Sequence, residues 1–438
     1  MEHDQKVKRI TEILRNRKSK EPIAFTKSSV SHQVPKPDAG KKVQSIDISD
    51  LNEILNIDVK NKVCIAEPGV TFSDLVKETL KHNLVPYTVP ELKAITIGGA
   101  VAGCSIESMS YKYGGFHDSC IEIEVVTAKG DVLECTRENM NKDVFGMVHG
   151  TFGTIGIITK LKFKLYPAKQ YVHLEYVKYD SLKGYSEAIW QHYTKKDVDL
   201  MDGIIHSPKK FVLCIGTFVG KAPYTNSYEW MRIFHKATLK REDDYLKTYD
   251  YFFRYDAGCH WIARNYGLEN PVLRFLFGKF FLPSTRMLSL ARKFSFLLNR
   301  KKPDVVVDIF VPFSRLEKFM EFYNKEFDFF PLWMVPYKIE KPYPWINPNH
   351  LKGVKDHLFI DLAVYGMKQR GNKDYYRLME LELMKLRGIK TLISHNSYSR
   401  EEFWSIWNRK NYYMAKKATD PDSIFGDLYD NTKKKCIS

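Results

Sequence analysis

The chain has 438 residues, 44% hydrophobic and 27% charged, which suits two or three domains with packed cores and excludes a disordered or fibrous protein. Its formal net charge of +16 favours acidic partners, yet the lysines and arginines are spread along the chain. With no helix-turn-helix, zinc finger or aromatic-studded RNA-binding signature among them, no nucleic-acid partner is expected.

The seven cysteines, at 64, 104, 120, 135, 214, 259 and 436, are odd in number and never spaced CxxC, so neither a disulfide scaffold nor a metal site is predicted, and a reducing compartment is. The opening MEHDQKVKRITEILRNRKSK has no apolar core, and no stretch of about eighteen uncharged apolar residues follows. A cytoplasmic protein without signal peptide or spanning segment is therefore expected. Cys436 in KKKCIS stands third from the end, where a prenylation box needs it fourth.

Residues 5–20 read as a short basic helix. IAFTKSSVSHQV, from Ile23, reads as a strand opening into a loop that Pro35 and Pro37 end; it carries His32, a residue type that can attach a flavin covalently but is also common in solvated loops. From Val43 the pattern predicts a strand VQSIDI, a short helix SDLNEILNI and a strand VCIAEPG. Thr71 and Asp74 then stand in an N-cap arrangement ahead of the helix FSDLVKETLKHN, completing an α/β unit.

After an extended VPYTVPEL comes AITIGGAVAGCSIESMSYKYGGF, with Gly98, Gly99, Gly103, Gly114 and Gly115 among small and hydroxylated residues. Glycine leaves no Cβ between the backbone and whatever lies against it, so the run suits close approach to a ligand; a glycine-rich turn between packed elements has the same composition. A hairpin, CIEIEVVTA and DVLECT around Lys129 and Gly130, is followed by a helix from Asn141 to His149. Gly150, Gly153 and Gly156 then recur at spacing three before a strand ending near Pro167, as a second loop on the same ligand or as a bend into an edge strand.

Beyond Tyr171 the order strand, helix, strand, strand predicts an antiparallel sheet with helices on one face, and VVVDIFVPFSRLEKFMEFYNKEFDFFPLWMVPY repeats it, as in a pseudo-symmetric ferredoxin-like cap. Between the repeats, DYFFRYDAGCHW holds Arg254, Tyr255, His260 and Trp261 as a substrate wall or as ordinary aromatic core. The most apolar region, ENPVLRFLFGKFFLPSTRMLSLARKFSFLLNRKK, is punctuated by eight basic residues; it cannot span a membrane but suits surface docking, or a helical pair packed on the cap. HLFIDLAVYG reads as a strand, DYYRLMELELMKLRG as a helix ended by Gly388, and SREEFWSIWNRKNYYMAKK as a last helix capped by Ser399.

The order of VCIAEPGVTFSDLVKETL, VPELKAITIGGAVAGCSIESMSYKYGGFHDSC and FGTIGIITKLKFKLYPAKQYV resembles the flavin domain of the vanillyl-alcohol oxidase and p-cresol methylhydroxylase (PCMH) superfamily. More closely, with YDYFFRYDAGCHW, PVLRFLFGKFFLP, FFPLWMVPY and SREEFW in order, it resembles the delta-24-sterol reductase (seladin or diminuto) family from about Val43 to Trp404.

That resemblance implies an α+β fold: a PCMH-type FAD-binding domain of two α/β subdomains over 1–168, a cap with an antiparallel sheet over 169–395, and a C-terminal helical segment over 396–438. It implies FAD, bound non-covalently, against Thr96, Ile97, Gly98, Gly99 and Gly103 and along Cys104, Ser105, Ile106, Glu107, Ser108, Met109, Ser110, Tyr111, Lys112, Tyr113, Gly114, Gly115 and Phe116. Asp118, Gly153, Thr154, Gly156 and Ile157 would flank the cofactor from the other side. It further implies reduction of a carbon–carbon double bond in a small hydrophobic, sterol-like or isoprenoid substrate with NADPH as electron donor. Such a step needs a proton donor, for which Tyr255, His260, His395 and Tyr398 are the candidates, and the catalytic site is expected to hold Arg254, Tyr255, His260 and Tyr398.

No counterpart of the family's N-terminal membrane segment is expected from this sequence, and YFFRYDA stands where the family has YYHRHTR: Arg254 matches, whereas Phe253, Tyr255 and Ala257 do not. Other readings of the same residues are a flavin oxidase or dehydrogenase of an alcohol or sugar, and a non-catalytic flavoprotein docked peripherally on membranes. The sequence says nothing about oligomeric state.

Overall fold

The computed structural model describes residues 1–19, 21–28, 44–284, 286, 304–394 and 396–433. His32, Pro35, Pro37, His395 and Cys436, and the basic apolar stretch beyond Arg286, lie outside them.

The fold is α+β and built on three sheets. A parallel pair, Ile23–Thr26 with Gln44–Asp47, is covered by the helix His3–Arg15, whose Val7, Ile10 and Leu14 pack on Ile23, Ile46 and Leu51. The second sheet turns on the eleven-residue strand Ile157–Pro167. Cys120–Val126 pairs along one edge and carries Val132–Thr136; Val63–Ala66, itself paired with Ile54–Asp58, pairs along the other, and Leu84–Pro86 pairs with the last three residues of the eleven-residue strand, every pairing antiparallel.

Residues 49–57, expected as a helix, contribute the edge strand Ile54–Asp58 instead. Only a four-residue link, 59–62, separates Ile54–Asp58 from Val63–Ala66, and Lys62 closes the turn at φ 55°, so strand pairing satisfies the backbone groups that one or two helical turns would leave unmet.

The third sheet has eight antiparallel strands in the order Asp243–Lys247, Tyr171–Tyr179, Lys210–Val219, Leu200–Ser207, Leu332–Lys338, Leu358–Met367, Val305–Pro312, Ile389–Lys390. The repeat read in the sequence is present as two strand-helix-strand-strand units meeting where Leu200–Ser207 pairs with Leu332–Lys338, and in each the third strand inserts between the first two. This differs from a ferredoxin-like βαββαβ unit, because each half contributes three strands around one helix. Alternate side chains point to opposite faces: Met201, Leu213 and Met334 join the helices Leu182–Lys195, Leu316–Glu326 and Tyr375–Lys385, while Leu200, Val212 and Trp333 face the N-terminal domain.

Sheet membership changes between Pro167 and Tyr171. The C-terminal stretch returns to the N-terminal domain: the single helix expected after Ser399 is broken at Trp407, which is extended and bridges Ile346, and Asn408 caps a second helix, Arg409–Thr419. Lys416 Nζ donates to Thr154 O at 2.6 Å, and the Ala128 amide donates to Thr419 O at 2.8 Å. Among the described residues no helix is long and apolar enough to cross a membrane.

Candidate functional site

Between the N-terminal domain and the eight-stranded sheet lies a cavity of about 360 Å³. Its first wall is Pro68 and Gly69, then Thr96, Gly98, Gly99, Gly103, Cys104, Ser105 and Ile106, then Gly153, Gly156 and Ile157; Phe25, Lys27 and Ile48 close one side. The facing wall carries His260, Asp308, Trp333, Asp361 and Tyr365, with Glu91 and apolar Ile262, Val306 and Phe310.

The glycines of the first wall do different jobs. A Cβ on Gly69 would sit 2.4 Å from Leu51 O, on Gly98 2.5 Å from Pro68 Cβ, and on Gly156 2.5 Å from Val125 Cγ1, so those three are required by the protein's own packing. Gly103 is different: its nearest protein neighbour would be the Phe152 ring at 3.7 Å, its φ is not left-handed, and it lines the cavity. Nothing among the described residues demands glycine there. A bare backbone facing an open space of this size is what an extended dinucleotide such as FAD needs, and the residues present fit that group.

The expected cofactor stretch divides at Ile106. Thr96, Gly98, Gly99, Gly103, Cys104, Ser105 and Ile106 reach the cavity, as do Gly153, Gly156 and Ile157, while Ile97 is core beneath the wall. Glu107 onward instead joins the two domains. Glu107 Oε1 accepts from Arg254 Nη2 at 2.9 Å, Ser108 O accepts from the Met201 amide at 2.9 Å, and the Tyr111 hydroxyl and Lys112 ammonium both reach Val198 O. Met109 is core, Ser110 Oγ accepts from the Glu107 amide, and Tyr113 packs 4.6 Å from Tyr87. Asp118 Oδ2 accepts from the Gly115 amide at 2.8 Å and from the Tyr343 hydroxyl at 2.6 Å; a Cβ on Gly114 would strike it, and Phe116 is core. Thr154 is buried with its hydroxyl on Thr151 O at 2.7 Å. None of the residues from Glu107 to Asp118, nor Thr154, lines the cavity.

Of the catalytic candidates among the described residues, the structure brings His260 to the wall, sets Arg254 and Tyr255 behind it and leaves Tyr398 elsewhere. Arg254 is buried between Glu107 and Asp202, 2.9 and 2.8 Å away, its guanidinium 4.1 Å from the Tyr251 ring centroid. Asp202 Oδ2 also accepts from Tyr255 Oη at 3.2 Å and from Trp333 Nε1 at 2.9 Å. Arg254 and Tyr255 therefore hold the wall residue Trp333 through one carboxylate. Tyr398 is buried 5.8 Å from the Trp407 ring, away from the cavity.

His260 follows Gly258 in a loop where three consecutive residues are left-handed: Gly258 at φ 92°, Cys259 at 45° and His260 at 60°. Two such non-glycine residues cost about 1–3 kcal/mol each, a strain that accumulates at functional sites. The loop sets the imidazole 4.8 Å from both the Trp333 and Tyr365 rings, with Nε2 3.0 Å from Glu91 Oε1 and Nδ1 without a hydrogen-bond partner among the described residues.

The two aspartates come from adjacent strands of the eight-stranded sheet, where Phe310 pairs with Asp361 and Asp308 with Ala363. Both face the cavity. Burial pushes the Asp308 carboxyl up to about 7, although the Tyr365 hydroxyl donates to its Oδ1 at 2.5 Å. Burial, then the charges of Asp308 and Glu91, raise the Asp361 carboxyl well above the usual carboxylate range, and its Oδ1 has no hydrogen-bond partner among the described residues. A protonated carboxyl is thus held near neutral pH opposite the glycine wall. These aspartates are absent from the sequence-derived candidates, although each is a lone carboxylate inside an apolar strand, VVVDIFV and LFIDLAV.

Residues 5–136 match the model of the FAD binding domain family. The chain is 25% identical over 410 residues to the Delta(24)-sterol reductase of Homo sapiens, covering 90% of this chain and 78% of that protein. It is 24% identical over 480 residues to the Delta(24)-sterol reductase of Arabidopsis thaliana, covering 99% and 85%. Cytokinin dehydrogenase 5 of Arabidopsis thaliana is 34% identical over 119 residues, 27% of this chain and 22% of that protein. The sterol reductase similarity takes in cap and C-terminal segment together with the FAD-binding region, and the chain is an FAD-dependent oxidoreductase similar over most of its length to the Delta(24)-sterol reductases.

Proposed function

We propose that the protein reduces a carbon–carbon double bond in a sterol-like or isoprenoid lipid, with NADPH as the electron donor and FAD as the carrier. The observation that carries this reading is the facing of two chemically different walls: glycine backbone on one side, a protonated carboxyl with its tyrosine on the other. FAD, when bound, supplies a hydride from its ring nitrogen N5. Gly99, Gly103, Ser105 and Gly153 are the residues that would hold it.

Everything else falls to the side chains. Adding hydrogen across an alkene needs a proton on the second carbon, and Asp308 holds one near neutral pH. Its carboxyl gives up the proton as the new C–H bond forms and is left as a carboxylate that the Tyr365 hydroxyl already contacts. Ile106, Ile157, Ile262, Val306 and Phe310 line the space with apolar surface, which suits a hydrocarbon chain and excludes the water that would compete for the hydride.

Stopped-flow spectroscopy of the purified flavoprotein tests this. NADPH should bleach the flavin rapidly, and an alkene-bearing sterol should restore its colour anaerobically. Asp308→Asn should leave bleaching by NADPH unchanged and slow the sterol-dependent return by about 10²–10⁴-fold. Bleaching by an alcohol or sugar but not by NADPH would establish the oxidase or dehydrogenase reading instead.

A further inference from the structure

The helix Pro271–Phe281 is built inside out. Its buried stripe is Arg274, Gly278 and the following Leu282, one turn apart, and the polar member makes the attachment: Arg274 donates to Leu268 O at 3.2 Å, to Arg232 O at 3.4 Å and to Trp230 O. Burial holds its guanidinium below its usual value. On the far side Val272, Leu276 and Phe280 form the opposite stripe, 65%, 55% and 66% exposed, flanked by exposed Phe275 and Phe277. A helix against water carries the reverse pattern, with charge outward and leucine and phenylalanine inward.

Charge identifies the covering medium. From Asn270 to Pro303 the sequence holds eight lysines and arginines and no aspartate or glutamate. On the described part, exposed Lys279 and Arg286 stand beside the apolar face, with Arg286 Nη1 donating to Lys279 O at 3.3 Å. Phenylalanine and leucine flanked by cations alone is the surface that inserts shallowly into a bilayer with anionic headgroups. Eleven residues span only about 16 Å as a helix, too short to cross.

We infer that Pro271–Phe281 is an interfacial anchor that seats the protein on an anionic lipid surface through Val272, Leu276, Phe280 and their neighbours. The anchor abuts the cavity wall. The Gly258 amide donates to Leu282 O at 2.8 Å, Leu282 packs with Ala263 and Leu268, and the same short segment places Cys259, His260 and Ile262 on the cavity. The docked face therefore lies next to the site that the proposed function gives a lipid substrate, although docking itself does not depend on what that site reduces.

Vesicle co-sedimentation with the full chain tests the anchor without any turnover. The protein should pellet with phosphatidylcholine vesicles containing roughly a third phosphatidylserine and bind pure phosphatidylcholine less, the difference shrinking in high salt. Leu276→Glu/Phe280→Glu should lower the bound fraction at least about tenfold while its thermal melt and light-scattering mass match the parent, because both side chains point away from the fold. Undiminished binding by the double variant would overturn the inference. So would a parent dimer that the variant dissolves and that never binds vesicles, since a second copy would then cover the face.

Discussion

Arg254 shows how a residue can matter to a site it does not touch. One guanidinium serves two buried carboxylates, Glu107 from the N-terminal domain and Asp202 from the cap, and Asp202 passes the restraint on to Trp333 on the cavity wall. Truncating it leaves carboxylates in a dry site with no cation, and removal of one partner from a buried ionic cluster costs about 3–5 kcal/mol. Arg254→Ala should lose that much in chemical denaturation, whereas Arg254→Lys, which restores charge without the fork, should recover part of it. Asp308 makes a prediction with a definite sign. Its carboxyl goes from 3.8 in the unfolded chain to about 7 in the fold, so between those values the folded protein keeps a proton that the unfolded chain releases. Stability conferred by this group is full below about 4 and falls as pH rises towards 7. Asp308→Asn should shallow that fall, measured by urea denaturation from pH 5 to 8, and the parent's turnover should decline above about 7 as the donor form is lost. Asp361 is raised by the same burial and keeps part of the slope in the variant.

At the scale of elements, the glycine-rich stretch was legible because its composition has few physical uses, but composition is blind to which glycine serves what. Gly98 and Gly103 look alike in sequence; only the fold shows Pro68 against the first and open cavity beside the second. Gly98→Leu should therefore abolish soluble protein as well as flavin, and is uninformative about the cofactor. Gly103→Leu should keep the fold by circular dichroism and lose flavin absorbance after desalting. The cap's duplicated strands and helices were equally readable from their order, whereas the edge strand Ile54–Asp58 was not, because a five-residue element is decided by its neighbour's free edge and not by its own pattern. The family resemblance places the residues from Glu107 to Tyr113 in the FAD-binding segment. Their part in joining cap to N-terminal domain depends on Val198, Met201 and Arg254, all more than eighty positions away. The lone aspartates of VVVDIFV and LFIDLAV were the signal that could have found the acid wall, a carboxylate inside an otherwise apolar strand needing a reason to be there.

Across the whole molecule, the cavity is closed by a return of the chain end to its beginning. Lys416, buried, reaches Thr154 O at 2.6 Å, Gly426 O at 2.6 Å and Asp420 Oδ2 at 2.5 Å, so a C-terminal helix grips the loop that presents Gly153 and Gly156 to the cavity. Phe425 packs 6.0 Å from Phe25, another lining residue, and the Ile23 amide donates to Ile424 O at 2.8 Å, which ties the first parallel strand to the same segment. Two separate lengths of wall thus hang on residues 409–426, although the sequence presents that region as a detached helical tail. Lys416→Met keeps the length of the side chain and deletes the three donated bonds, leaving Asp420 buried with only its Ile424 and Phe425 amides. The loss should be about 3 kcal/mol in global stability, at the lower end for a broken buried pair because those amides remain. Flavin should suffer more than the fold does, since the loop bearing Gly153 loses its support directly: dialysis of Lys416→Met below its melting temperature should release FAD several times faster than the parent does. If retention fell only in step with global unfolding, the clasp would be a stabiliser of the domain and nothing more. Asp420→Asn separates the two contributions, because it removes the charge partner while Lys416 keeps both carbonyls, and it should cost stability with little change in the rate of flavin release.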